Sequence, residues 1–122
     1  MKKDRFRFRA WNKEEKIMHY DAEDTYDDLG GNPYIEKSSF GSLLEDDRYI
    51  VEQCTGLKDK NGKLIYEGDI ITVYSYKAVV VYDGCGWSVK AVDLLQSIHS
   101  LYNAKDTFEV VGNIYENPEL FK

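Results

Sequence analysis

Residues 54–73, CTGLKDKNGKLIYEGDIITV, crowd Asp59, Lys60, Asn61, Glu67 and Asp69 into a frame of apolar residues. Oxygen donors at that density would suit a calcium loop, and glycine beside lysine would suit a phosphate cradle. Neither spacing is met. A calcium loop counted from Asp59 would need Gly and Glu where Leu64 and Ile70 stand. A phosphate loop would need two glycines framing four residues ahead of Lys and Ser or Thr, and this stretch has no such run. The polar residues are therefore assigned to turns. Asn61-Gly62 marks a hairpin because Gly adopts positive φ freely and Asn tolerates it. Asp59 accepts backbone N–H groups and fixes that turn. Gly68 permits a second bend, and Asp69 takes up loose amides at the start of the strand that follows.

A zinc site would need Cys54, Cys85, His19 and His99 to converge, and none falls in a paired ligand spacing. No metal and no cofactor are expected. Cys85 stands between glycines in DGCGW and is the better alkylation target of the two cysteines, but a reactive thiolate needs an activating neighbour. Acid–base catalysis would have to draw on Asp21, Glu23, Asp24, Asp27 and Asp28. These lie in a polar segment with no apolar wall to separate two pKa values. No catalytic set emerges, so no enzymatic activity is expected. One binding signal remains: Arg5, Arg7 and Arg9 alternate onto one face with Trp11, a pattern that could meet phosphates and stack a base. The opposing expectation is a charged edge strand.

These residues must be held by short strands. RFRFRAW (5–11) alternates with period two and IMHY (17–20) returns as its hairpin partner. Residues 21–47 are rich in Asp, Gly, Ser and Asn and have no sustained period, which predicts a long excursion with one short strand or helical turn at 34–44. From Arg48 the chain becomes regular, with strands expected at 48–54, 69–76, 78–83 and 84–91 around the 57–65 reversal. The apolar run 78–82 predicts the most deeply buried of them. VDLLQSIHSLYN (92–103) changes to three- and four-residue spacing and predicts a helix. A last strand is expected over 107–115, and Asn117 before Pro118 predicts an N-capped closing turn. The expected core is Ile50, Leu57, Ile65, Ile70, Val73, Val79, Val81, Leu95, Ile98, Val110 and Ile114.

The 122 residues suit one domain, with 43% hydrophobic and 14% aromatic residues, enough for a packed core. Ten of the aromatics are Tyr, suited to half-buried faces and contact surfaces. No run approaches the roughly 20 apolar residues of a membrane span. The basic N-terminus lacks the apolar stretch of a secretion signal, and only two cysteines are present, so a cytoplasmic protein is expected. Residues 1–16 hold seven Lys or Arg against three Asp or Glu, whereas 17–52 hold two against ten. A basic lip beside an acidic belt argues against a general nucleic-acid coat.

RFRAW (7–11) with Met18, QCTGLKDKNGKLIYEGDII (53–71) and VVGNIYENPEL (110–120), in that order, resemble the three blocks of the YopX family, small proteins of phages and prophages, mostly of Gram-positive bacteria. The resemblance implies a β-rich fold whose C-terminal part is similar to an SH3-like barrel. It implies no catalytic set. Cys54 stands where the family more often has an aromatic, which is expected to loosen local packing. The expected fold is mainly β: an SH3-like β-roll over 49–122 with one short helix, carrying an N-terminal hairpin arm and acidic loop over 1–48. The expected function is that of a non-enzymatic phage or prophage accessory protein, acting through a protein partner or as a homo-oligomer. Nucleic-acid binding through Arg5, Arg7, Arg9 and Trp11 is the alternative. A third expectation is an acidic mimic using residues 21–28 and 45–47. No membrane partner is expected.

Overall fold

A computed structural model describes residues 4–24, 40–73, 76–84, 86–91, 94–97 and 107–121. Nine strands and one short helix are described: β1 (Phe8–Asn12), β2 (Ile17–Tyr20), α1 (Phe40–Glu45), β3 (Tyr49–Lys58), β4 (Leu64–Tyr66), β5 (Asp69–Val73), β6 (Tyr76–Asp83), β7 (Gly86–Ala91), β8 (Leu94–Ser97) and β9 (Glu109–Asn113). They form two antiparallel sheets, ordered β2-β1-β3-β4 and β8-β7-β6-β5-β9. The second curls into a half-barrel, giving the mainly-β, SH3-like form expected from the sequence.

The alternation in β1 is real, but both of its faces are covered. Phe8 and Ala10 point toward α1 and pack with Ala22, Phe40, Leu43, Tyr49 and Val51. Arg9 and Trp11 point the other way, and both are buried. Residues 4–6 belong to a 3-10 turn rather than to the strand, closed by the Arg7 amide on the Asp4 carbonyl at 3.0 Å. Arg5 is therefore off the strand on which the alternation placed it. β1 is hydrogen-bonded to β3 from Phe8↔Gln53 to Asn12↔Tyr49. The expected division at residue 48 thus lies beside a continuous sheet that joins both parts.

The half-barrel core consists of Ile65, Ile71, Val73, Ala78, Val80, Val89 and Phe108. Ala78, Val79 and Val80 are all buried, as the apolar run 78–82 predicts for a strand covered on both faces. Ile70 and Val79, paired across β5 and β6, lie on the face opposite Ile71 and Val80. Both are buried too.

The helix expected over 92–103 is corrected: Leu94–Ser97 is a strand, paired with β7 from Ala91↔Leu94 to Ser88↔Ser97. β7 would otherwise carry an unpaired row of backbone donors and acceptors, and the adjacent segment supplies their partner. Three-residue spacing of apolar side chains does not outweigh that requirement. Leu95 lies within this strand, and Ile98 and His99 lie outside the described residues. The short helix sits instead at Phe40–Glu45, inside the segment where a strand or helical turn was expected. The closing turn Pro118–Phe121 is 3-10. Asn117 takes the capping position, its carbonyl accepting from the Leu120 amide at 3.1 Å. Its side-chain oxygen reaches back to the Asn113 amide at 3.2 Å.

The β3–β4 reversal is built as its residues predict. The Gly62 amide closes a turn on the Asp59 carbonyl at 3.0 Å, and Gly62 takes φ +82°. Asn61 stays out of the positive-φ region, so this is a three-residue loop with a glycine bulge rather than a two-residue turn. Asp59 accepts from the Asn61 and Lys63 amides through one oxygen, both at 2.9 Å. Its other oxygen accepts from the Val110 amide of β9 at 2.9 Å. The Lys60 amide adds a bond to the Phe108 carbonyl at 2.8 Å. Burial opposes the Asp59 charge, yet these three amides hold its pKa below the ordinary value. Asp59→Ala is expected to cost about 2–3 kcal/mol, because it removes the acceptor of two turn amides and of the half-buried Val110 amide on β9. Asp59→Asn, which keeps one acceptor oxygen, should cost less. Urea unfolding of both variants at neutral pH checks the order.

Candidate functional site

Arg9 is the largest fully buried side chain of the described residues, at 1% exposure. A guanidinium at that depth must meet carboxylates and carbonyls or the fold fails. Its Nε donates to Glu52 Oε1 of β3 at 3.0 Å. One terminal nitrogen pairs with Asp69 Oδ1 of β5 at 2.8 Å, and the other donates to the Glu67 carbonyl at 2.9 Å. The Tyr66 ring lies 4.9 Å from the guanidinium carbon. One arginine on the first sheet is thereby tied to β3, to the β4–β5 turn and to the first residue of β5.

The turn that receives it is Glu67-Gly68-Asp69, the YEGD of the opening stretch. Asp69 accepts from the Tyr66 amide at 2.8 Å, the amide-satisfying role expected of it, and also carries the ion pair. Gly68 takes φ +85°, and a Cβ there would run into the Glu52 carboxylate. Backbone bonds cross the same point. The Glu67 amide donates to the Gln53 carbonyl at 2.9 Å, the Gly68 amide to Val80 at 2.7 Å, and the Ile114 amide to Gly68 at 3.0 Å.

The cluster holds one guanidinium against two buried carboxylates, and its titration reflects that imbalance. Burial works against the Arg9 charge, but Asp69 and Glu52 outweigh it and raise the Arg9 pKa. Burial pushes the Glu52 carboxyl up to about 7, against the pull of Arg9. Burial raises Asp69 as well, opposed by Arg9 and by the Tyr66 amide. The Tyr115 hydroxyl is hydrogen-bonded to Glu52, and burial together with that carboxyl holds the phenol well above its usual value. Tyr115 also stacks on Trp11, ring centroids 5.8 Å apart.

A cleft of about 290 Å³ opens beside the cluster, lined by Arg9, Tyr20, Asp21, Lys63, Leu64, Tyr66 and Asp69. Its charged floor is already committed, Arg9 and Asp69 to each other. Among the described residues no buried side-chain nitrogen or oxygen lacks a partner.

The sequence-derived candidates fall as follows. Asp59, Asn61, Gly62, Gly68 and Asp69 sit in the two turns. Arg5, Arg7, Arg9 and Trp11 do not form an open face. Arg9 and Trp11 lie between the sheets, and Arg7 is engaged by Asp4 and Asp21, each at 3.2 Å. Of the acidic cluster, Asp21 meets Arg7 and Glu23 accepts from the Phe8 amide at 2.7 Å. Oxygens of Asp21, Glu23 and Asp24 lie within 4.8 Å of one another. Asp27 and Asp28 lie outside the described residues, as does Cys85. Cys54 is fully buried and its thiol is pushed up by burial, the opposite of an activated nucleophile. His19 is exposed on β2, its ring edge-on to Tyr49 at 6.2 Å. Glu52 and Tyr115 were not singled out by sequence, and Glu67 was read only as part of a turn. The only signal was Glu52, a carboxylate following the apolar run Tyr49–Val51 in RYIVEQC.

A short antiparallel β protein, two sheets held together by a buried ionic joint, is the class these features define. The chain belongs to the YopX family: the family model described as YopX protein matches residues 7–122. It is similar to the crystal structure of protein EF1440 from Enterococcus faecalis, with 30% identity and a TM-score of 0.64, over 95% of this chain and 97% of that one. It is also similar in fold to the crystal structure of protein yopX from Bacillus subtilis, with 19% identity and a TM-score of 0.60, over 97% of this chain and 99% of that one. No curated protein matches it significantly. No helix among the described residues is long and apolar enough to cross a membrane.

Two glycines separate backbone strain from contact at the joint. Gly62 and Gly68 have nearly equal φ, +82° and +85°, but only Gly68 is pressed against a carboxylate. Gly62→Ala is expected to cost about 1–2 kcal/mol, the left-handed penalty alone. Gly68→Ala should cost at least about 2 kcal/mol more, because displacing Glu52 breaks a buried ionic network worth about 3–5 kcal/mol when a partner is lost. Chemical unfolding of the two variants side by side reads the difference.

Proposed function

We propose that this protein is a non-enzymatic accessory module of a phage or prophage, working by protein–protein contact that includes self-association. The observation that carries this reading is β2. It is the outer strand of the four-stranded sheet, and none of its residues, Ile17, Met18, His19 or Tyr20, is a Lys, Arg, Asp or Glu. Ile17 and Tyr20 stand 47% and 51% exposed. An uncharged outer strand with apolar side chains can accept a further strand through its backbone and offer side chains for specificity. The buried polar residues support the same reading, because Glu52, Asp59 and Asp69 are spent on holding strands together. The phage setting rests on the three sequence blocks shared with the family.

A nucleic-acid role through Arg5, Arg7, Arg9 and Trp11 is disfavoured, since two of the four are buried between sheets. The test is a tagged pull-down from host lysate with and without nuclease, alongside light scattering of the purified protein. Ile17→Lys should weaken nuclease-resistant capture or self-association about tenfold while leaving the melting temperature within a few degrees. Capture that vanishes with nuclease, or is unchanged by Ile17→Lys, would remove the basis for this reading.

A further inference from the structure

The joint between the sheets contains one guanidinium and two carboxyl groups, all nearly excluded from water. Arg9, Glu52 and Asp69 are 1%, 3% and 2% exposed. With both acids ionised the cluster carries a net negative charge where none is solvated. Half-buried Glu67 adds a further carboxyl whose field reaches Glu52. The two buried acids are not equivalent. Asp69 uses both oxygens as acceptors, one for Arg9 and one for the Tyr66 amide. Both bonds require an unprotonated oxygen, so Asp69 is the natural partner of Arg9. Glu52 gives one oxygen to Arg9 Nε, and its carboxyl also meets the Tyr115 hydroxyl. A hydroxyl accepts as readily as it donates. A protonated Glu52 can therefore donate a hydrogen bond to the Tyr115 oxygen while its Oε1 still accepts from Arg9.

We propose that Glu52 carries a proton when the two sheets are closed and that loss of this proton loosens the joint, which makes sheet docking a proton-sensitive step. The titratable groups facing Glu52 are Arg9 from β1, Glu67 and Asp69 from the β4–β5 turn, and Tyr115 beyond β9. Tyr66 lies against the Arg9 guanidinium and Tyr20 packs on Tyr66. Arg9 favours ionisation of Glu52, as does the Tyr115 hydroxyl when it donates to the carboxylate; burial, Glu67 and Asp69 oppose it.

The direction of the pH effect follows. The unfolded chain releases the Glu52 proton near its ordinary value of 4.5, whereas the folded chain keeps it until about 7. Between those values the native state binds the extra proton, so stability declines as pH rises. The unfolding equilibrium constant should increase by up to about tenfold per pH unit across that window. Above it the slope due to Glu52 vanishes, because both states are then ionised.

Two measurements on the full chain test this. Carboxyl carbon shifts of ¹³C-labelled glutamate in the native protein, with Glu52→Gln serving to assign the signal, should show Glu52 titrating well above the other glutamates. A Glu52 signal that is fully ionised at pH 5 would overturn the proposal without relying on any variant's stability. Urea midpoints across the same pH range should fall more steeply for the parent protein than for Glu52→Gln, which mimics the protonated form and leaves only the contributions of the other raised carboxyls, Asp69 and Glu67. A slope as steep in Glu52→Gln as in the parent, or one removed by Asp69→Asn in its place, would also overturn it. These outcomes do not depend on the proposed contact function, which the pull-down tests separately.

Discussion

A guanidinium taken out of water is the constraint from which the rest of this structure follows. Arg9 sits on the inward face of a strand whose other face is also covered, so it cannot turn toward solvent without breaking the sheet. Its partners must be brought to it. Glu52 arrives through the β1–β3 register, directly opposite Arg9. Asp69 and the Glu67 carbonyl arrive through the sharp turn after β4. The position of β5, and therefore of the half-barrel begun by it, is set by where that turn must be for Asp69 to reach Arg9. Hydrophobic burial supplies most of the stabilisation in any such domain. It is non-directional, however, and would tolerate several ways of laying one sheet on another. The ionic joint, with its fixed distances and fork-shaped donor, selects one of them.

The same logic explains the glycine. Gly68 is required for the backbone angle and for the space that Glu52 occupies, so a turn residue and a core ion pair are parts of one device. Asp59 performs a parallel task at the far side of the half-barrel. It fixes its own hairpin and binds the β9 amide, so the hairpin becomes a strut between distant strands. In both cases an acidic residue that reads as surface turn chemistry has its second oxygen inside the fold.

That second role is where the sequence runs out. The tight turns were legible because Asn-Gly, Asp and Gly carry backbone preferences that act locally. Strand β6 was legible because a run of valines needs two covered faces. The alternation of RFRFRAW was legible as well, but its meaning was not: an arginine on a strand looks like a solvated edge until its carboxylates are known, and those lie in separate strands. Val89 and Phe108 were missed as core for a related reason, since curling of the sheet decides which side of a two-sided strand faces the barrel interior. The 94–97 strand was hidden because its apolar spacing is helical, and only the unpaired edge of β7 decides against a helix. The family resemblance supplied the barrel-like architecture but assigned no role to Arg9 or Glu52.

The strand order also dictates when each contact can exist as the chain leaves the ribosome. β5, β6 and β7 are consecutive in sequence and adjacent in space, so that meander can assemble from residues 69–91 alone. β1 has no such freedom. Its hairpin partner β2 follows at once, but β3 comes only after the whole acidic segment, and Asp69 later still. Arg9 cannot meet both carboxylates until Glu52 and Asp69 are present, and β9 closes against β5 from the far end of the meander. Contacts of long sequence separation come at a cost in loop entropy and form slowly. The β1–β2 hairpin therefore depends on strands that follow it at long sequence separation, whereas the β5–β7 meander needs only its own neighbours.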